Sequence, residues 1–377
     1  MIVTTRKMID AINRLERIVA PRLKHEIFGT PHHTLAKTTI NFCFNGQDEL
    51  TIKAASDTQF FCEVMKVTPS LDEKAFTACV YPKTLSDVIK NADVTFEMYL
   101  DDKDDIRLDL GKRLKYKLEN KREGRDFFDN LLKELHGAHV KINAIDLRDA
   151  LSYCLHSTGN IFDYVSFRHK DDTLWVTGTD GYRAAFTKLG KFADELPDFD
   201  VDTKELSRLI SVVPNDEIDV SLSFVDGKLF VWFENFYSWS LSYSNVKQDA
   251  FVILDDKPAS GDFVFDVDLG LFNKAIKYLS SFTADLNGRI DVSLKDNTVK
   301  MFGRTEQLGD TTWILPIENG NLTGKEREIR MNSSFLNMYL SNAKPTQLAM
   351  HISEEENYPV HLVSEREDYV FLFMPMN

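Results

Sequence analysis

The 377-residue sequence is poor in cysteine, has no long apolar run, and carries fewer cations than anions. Its four cysteines, Cys43, Cys62, Cys79 and Cys154, show no C-x-x-C spacing. That excludes a disulfide framework and a cysteine-rich zinc site, and predicts free thiols in a reducing compartment. No apolar stretch approaches the roughly 20 residues that span a bilayer, and residues 1–7 lack the apolar core of a signal peptide. A cytoplasmic location without membrane contact is therefore expected. With 45 Lys and Arg against 59 Asp and Glu, the formal charge is −14, which argues against a nucleic-acid partner unless the cations are segregated. Motifs for metal and nucleotide chemistry are also missing. His136 with His139, and His32 with His33, have no Cys or carboxylate companions at ligand spacing. The segment from Gly320 to Lys325 is one residue too short for a P-loop, and Glu326 stands where Mg²⁺ needs a hydroxyl. No nucleophile–base pair is visible, and no cofactor is expected.

What the sequence does have is repetition. Helical spacing puts Met8, Ile12, Leu15 and Val19 on one stripe, and the stripe returns as Leu147, Leu151, Cys154 and Leu155, then as Phe272, Ala275, Ile276 and Leu279. A shorter helix follows each: Leu85, Val88, Ile89 and Ala92; Leu206, Leu209, Ile210 and Val213; Phe335, Leu336, Tyr339 and Leu340. From Lys7 to Asp146 to Asp268 the period is 139 and then 122 residues by subtraction, the size of whole domains rather than solenoid units. Alternating β-branched and aromatic runs lie between the helices. They predict strands over 38–44, 49–54, 60–67, 76–80, 94–100, 106–110 and 114–118, then 165–169, 173–178, 184–189, 218–224, 228–233 and 237–242, and at the end 360–364 and 369–373. The expected fold is α+β: three repeated domains, 1–135, 136–254 and 262–377, each with two helices on antiparallel sheets, and a linker over 255–261. Sheets of this kind leave strand edges open at each domain boundary, which a second copy of the chain would cover.

Charge is unevenly spread. The six helical segments, 4–19, 81–92, 143–158, 202–213, 266–283 and 332–344, together hold 12 cations and 9 anions, a sum of +3, so the rest of the chain carries −17. One weakly basic helical face on an acidic body fits the count, and so does an ordinary mixed surface.

Two segments make the reading specific. Leu174-Trp-Val-Thr-Gly-Thr-Asp-Gly-Tyr-Arg183, preceded by Asn160-Ile-Phe, resembles the middle domain of the bacterial DNA polymerase III beta sliding clamps. The terminal Tyr369-Val-Phe-Leu-Phe-Met-Pro-Met376 is similar to that family's last strand and tail. The resemblance implies a head-to-tail ring dimer whose helices line a hole for duplex DNA. The partners would be DNA without sequence preference, a DNA polymerase, an ATP-dependent clamp loader and a second copy of the chain. On that reading Arg14, Arg17, Lys83, Lys90, Arg148, Lys204, Arg208, Lys274 and Lys277 face phosphates, with Arg22 and Lys24 in a DNA-touching loop.

The resemblance also implies a hydrophobic cleft for partner peptides, built from Phe162, Thr179, Gly181, Tyr182, Arg183, Ala184, Asn332, Phe335, Pro359, Val360, Phe373, Met374, Pro375 and Met376. Adaptable Met side chains suit such a cleft. On pattern alone Phe162, Phe335 and Phe373 read equally as core. The family's Gly-x-Phe-Pro-Asp-Tyr-like wall segment is replaced here by Ser244-Asn-Val-Lys-Gln-Asp-Ala-Phe251, which implies a shifted peptide preference. For the ring seam the resemblance points to Tyr116, Leu118, Tyr278 and Leu279, although alternation also allows Tyr116 and Leu118 a core role. Two alternatives stay open: a clamp-like scaffold that encircles nothing, and a DNA-acting enzyme using Thr179-Asp180-Gly181, where turn chemistry equally explains the Asp.

Overall fold

A computed structural model describes residues 1–16, 39–55, 59–70, 74–111, 114–120, 140–159, 162–191, 198–225, 227–234, 236–243, 263–320, 326–355, 358–364 and 369–376. Arg17, Val19, Arg22, Lys24, the substituted wall segment up to Phe251 and the 255–261 linker lie outside these residues. Among the described residues there are six α-helices: α1 (Thr5–Glu16), α2 (Pro82–Ile89), α3 (Ala144–Leu155), α4 (Thr203–Val212), α5 (Leu269–Phe282) and α6 (Ser333–Ala343). They stand where the periodicity places them. Met8, Ile12 and Leu15, then Leu147, Leu151 and Cys154, then all four residues of the α5 stripe are buried. In the shorter helices the stripe is narrower, since Val88, Ile210 and Phe335 are only half-buried.

The chain divides into two compact units, one of residues 1–144 and 207–242, the other of 145–206 and 243–377. The division passes through α3 and α4 of the middle repeat rather than along the repeat boundaries. Strand pairing explains this. In the first unit, Gln59–Lys66 of the first repeat pairs antiparallel with Phe236–Tyr243 of the middle repeat. This joins the strands Phe76–Val80, Ile40–Phe44 and Glu49–Ala55 on one side to Lys228–Phe233, Asp219–Val225 and Val140–Asn143 on the other, a continuous run of eight. In the second unit, Arg183–Lys191 of the middle repeat pairs with Tyr369–Phe373 of the last. That seam again unites eight strands: Phe263–Asp266, Leu348–Ile352, Val360–Ser364, Tyr369–Phe373, Arg183–Lys191, Thr173–Thr179, Tyr164–Lys170 and Phe199–Asp202. Joining edge to edge satisfies backbone groups that would otherwise stay open.

Each unit adds a four-stranded antiparallel sheet. In the first the order is Ile2–Thr4, Thr95–Leu100, Ile106–Asp109, Lys115–Leu118; in the second it is Gly309–Pro316, Thr298–Thr305, Arg289–Lys295, Arg327–Asn332. Alternation fixes which face is core: Ile290, Val292 and Leu294, with Val299 and Met301, are buried on one side. Four short strands escape sequence reading, Ile2–Thr4, Val140–Asn143, Phe199–Asp202 and Phe263–Asp266. Each leads into a helix, and three or four residues are too few for a period of two to register. The strands between 289 and 332, and Leu348–Ile352, are likewise absent from the predicted set, although Arg289–Lys295 and Thr298–Thr305 alternate with a period of two.

Candidate partner pocket and helix cations

The pocket residues gather in the second unit around one turn. Asp180 closes the hairpin between Thr173–Thr179 and Arg183–Lys191: its Oδ1 accepts from the N–H groups of Tyr182 (2.9 Å) and Arg183 (3.0 Å), and its Oδ2 accepts from Arg183 Nε (2.8 Å). Thr179 Oγ1 donates to the Arg183 carbonyl (2.7 Å) and accepts from the Gly181 amide (3.0 Å). Gly181 sits at φ +89°, and a Cβ there would lie 3.1 Å from the Phe162 ring. Only glycine meets both demands without strain. The turn thus engages both oxygens of the Asp180 carboxylate in its own bonding.

The same bonding aims Arg183. Its Nη1 donates to Met338 Sδ (3.0 Å) and its guanidinium carbon stands 4.6 Å from the centre of the Phe335 ring, a cation–π contact with α6. Asn332 caps α6, accepting from Ser334 (2.9 Å) and Phe335 (3.4 Å) amides, and so orients the helix end that carries Phe335. Register sets Arg183 opposite Phe373, and Phe373 opposite Val360. The tail is then tied at two points: Met374 N–H donates to the Tyr182 carbonyl (2.7 Å) and Met376 N–H to the Arg330 carbonyl (2.9 Å). Tyr182 is 66% exposed, while Phe162, Phe335, Pro359, Met374, Pro375 and Met376 are half-buried.

Of the expected lining residues, Val360, Phe373 and Ala184 lie on strands and are buried. Two neighbours were missed by sequence reading. Met338 lies three residues after Phe335 on α6, a spacing that shares a helix face and was the available signal. His156, at the end of α3, has its imidazole held below the ordinary histidine range by partial desolvation and then by the Arg183 guanidinium. No sequence signal links it to Arg183.

The helix cations divide into two groups. Arg14 is drawn into an ion pair with Glu63, donating through Nε at 3.0 Å and through a second, shorter contact from Nη2. Arg208 donates to Gln59 Oε1 (3.3 Å), and Lys90 pairs with Asp87 (3.2 Å). Arg148 is half-buried. Lys83, Lys204, Lys274 and Lys277 are exposed and have no ion pair among the described residues.

The seam residues also separate. Tyr278 is 49% exposed, stacked on Phe282 (5.7 Å between centroids) and near Trp313 (6.0 Å). Leu279 is fully buried within its own unit, and Leu118 is 8% exposed. Alternation and helix phase turn both side chains inward within their own units. Tyr116, half-buried, lies on the end strand of its sheet.

No sequence-family profile matches the chain, and no curated protein matches it either. Solved structures do. The DNA polymerase III subunit beta of Pseudomonas aeruginosa superposes with a TM-score of 0.85 at 15% identity, over 100% of this chain and 99% of that one. The DNA polymerase sliding clamp of Bacillus subtilis gives 0.85 at 14% identity, over 100% and 98%. The fold is that of the DNA polymerase III beta sliding clamps. A further clamp of this fold, from Pseudomonas aeruginosa and bound to griselimycin, matches at 0.83 and 15% identity over 100% and 99% of the two chains. At such low identity it is the clamp architecture that is shared.

Proposed function

We propose that the chain is a DNA sliding clamp, a non-enzymatic processivity factor that encircles duplex DNA as a head-to-tail dimer and tethers a replicative polymerase. The full-length match to the clamp fold carries this reading, since it spans all three repeats and both ends of the chain. The three repeats, 1–135, 136–254 and 262–377, are its domains, and an ATP-dependent loader would open the ring. Exposed Lys83, Lys204, Lys274 and Lys277 support a phosphate-facing role without base contacts, as sliding requires. The turn at Asp180, the Phe335 end of α6 and the doubly tied tail support a peptide pocket in which Arg183 positions the apolar wall.

Retention on DNA tests the whole reading. After loading, the protein should stay on closed circular duplex through gel filtration and leave when the circle is cut once. Equal loss from circular and linear DNA would leave a scaffold that encircles nothing; metal-dependent turnover of the DNA would favour an enzyme.

A further inference from the structure

The helices of the last repeat differ from the others in charge. No Asp or Glu occurs from Leu269 to Ala284 or from Ile329 to Ser353, on a chain that holds 59 of them. α5 and α6 therefore carry Lys274 and Lys277 and no acid, whereas each of the other four helices mixes cations with acids. Counting from the buried stripes makes the contrast positional. Lys274 and Lys277 stand where the first repeat has Asp10 and Asn13 and the middle repeat has Asp149 and Ser152. Lys344, which ends α6, stands where they have Asp93 and Pro214.

These cations flank an opening. A groove of about 420 Å³ lies between the two helices, lined by Leu269, Asn273 and Lys277 on α5 and by Leu340, Ser341 and Lys344 at the end of α6. Asn273 and Lys277 are one turn apart and share a face of α5. Lys277, Ser341 and Lys344 are exposed, and neither lysine has an ion pair among the described residues. Asn273 is half-buried, and its Oδ1 meets no hydrogen-bond donor among them. Its amide is free to turn Nδ2 toward the groove. Asp268, the nearest acid in sequence to α5, is occupied in capping that helix, its Oδ1 accepting from Leu271 N–H (2.8 Å). Two ammonium groups, an amide and a hydroxyl thus converge on a groove with no acid in its lining. Positive charge with several donors is the chemistry that holds a phosphate diester.

We propose that the groove between α5 and α6 is a phosphate seat, in which Lys277 and Lys344 hold one backbone phosphate of the encircled duplex while Asn273 and Ser341 donate to its oxygens. Contact with DNA is then concentrated on the last repeat of each chain instead of being spread evenly over the six helices, because the equivalent positions of the other repeats supply no such pair. The inference rests on the sliding-clamp reading given under Proposed function.

Fluorescence anisotropy of the whole protein with a labelled short duplex, followed across a salt series, tests it. Retention on closed circular DNA is measured alongside. Loss of one phosphate contact should reduce the slope of log K against log salt by about one in the double variant Lys277→Gln, Lys344→Gln. Either single substitution should already produce most of that change, because the two ammonium groups share one phosphate and are coupled. The double variant Lys83→Gln, Lys204→Gln alters exposed lysines in repeats without the seat, and should change the slope by well under one. Equal changes from the two double variants overturn the proposal, as do single effects of Lys277→Gln and Lys344→Gln that simply add; either result leaves the clamp reading standing if circular DNA retains the wild-type protein. A wild-type protein that circular DNA does not retain overturns the clamp reading, and this inference falls with it.

Discussion

Arg183 is held by an arrangement in which each partner is local. Asp180 fixes its backbone and its Nε, and Met338 and Phe335 receive the far side of the guanidinium. Removing the cation also removes a charge beside His156. Folding holds that imidazole below its ordinary range, so the folded state favours the neutral form and the unfolded state binds the extra proton. The associated stability is present above the ordinary histidine value and is lost as pH falls below it. In Arg183→Ala, the His156 midpoint measured by NMR should rise toward the ordinary value without reaching it, because desolvation remains. A midpoint that does not move would separate the two residues. The thiols give a second residue-scale test. Burial pushes Cys62 up to about 12, with nearby Lys53 opposing, and drives Cys154 well above the usual range. In the native protein at pH 8 both should alkylate more than roughly a hundredfold slower than in denaturant, by mass spectrometry, since the thiolate is the reactive form.

At the scale of elements, the helices present fewer available cations than their sequences suggest. Arg14 is bound to Glu63 and Arg208 to Gln59, so reversing them would disturb the fold as well as any DNA contact. The exposed set, Lys83, Lys204, Lys274 and Lys277, is the cleaner probe. Changing all four to Glu should leave the unfolding temperature nearly unchanged while shortening retention of the loaded protein on circular DNA, most visibly near 50 mM salt where phosphate contacts count most. Unchanged retention across a salt series would take these helices off the DNA path. Their buried stripes were legible because four or more apolar positions recur at helical spacing in each long helix. The strands that feed them were not, because they are only three or four residues long.

For the whole molecule, the open strands Lys115–Leu118 and Gly309–Pro316 each end a sheet, and aromatic Tyr278 lies exposed beside Trp313. Light scattering should give a dimer of about 87 kDa, twice the 43.3 kDa chain. Tyr278→Ala should shift the dimer toward monomer with the fold intact. Leu279→Ala should instead destabilise the fold by about 2–5 kcal/mol, because it empties a core position. If Tyr278→Ala left the mass at micromolar concentration unchanged, the seam would have to lie elsewhere.

Periodicity and turn chemistry are local, and they determined the six helices, most of the longer strands and the Thr179–Arg183 turn from the sequence by itself. Phe162, Thr179 and Arg183 are legible through the resemblance of their segments to the clamp family, not through periodicity. Only the tertiary structure decided which strand of one repeat pairs with which strand of the next, since edge pairing between segments 173 and 190 residues apart by subtraction leaves no periodic trace; Phe236 meets Glu63, and Arg183 meets Phe373. It also decided that Leu279, Val360 and Phe373 are interior, that Glu63 takes Arg14, and that Met338 stands beside Arg183. Burial and ion pairing depend on what the chain brings together from afar, and a residue's own neighbours in sequence do not carry that information.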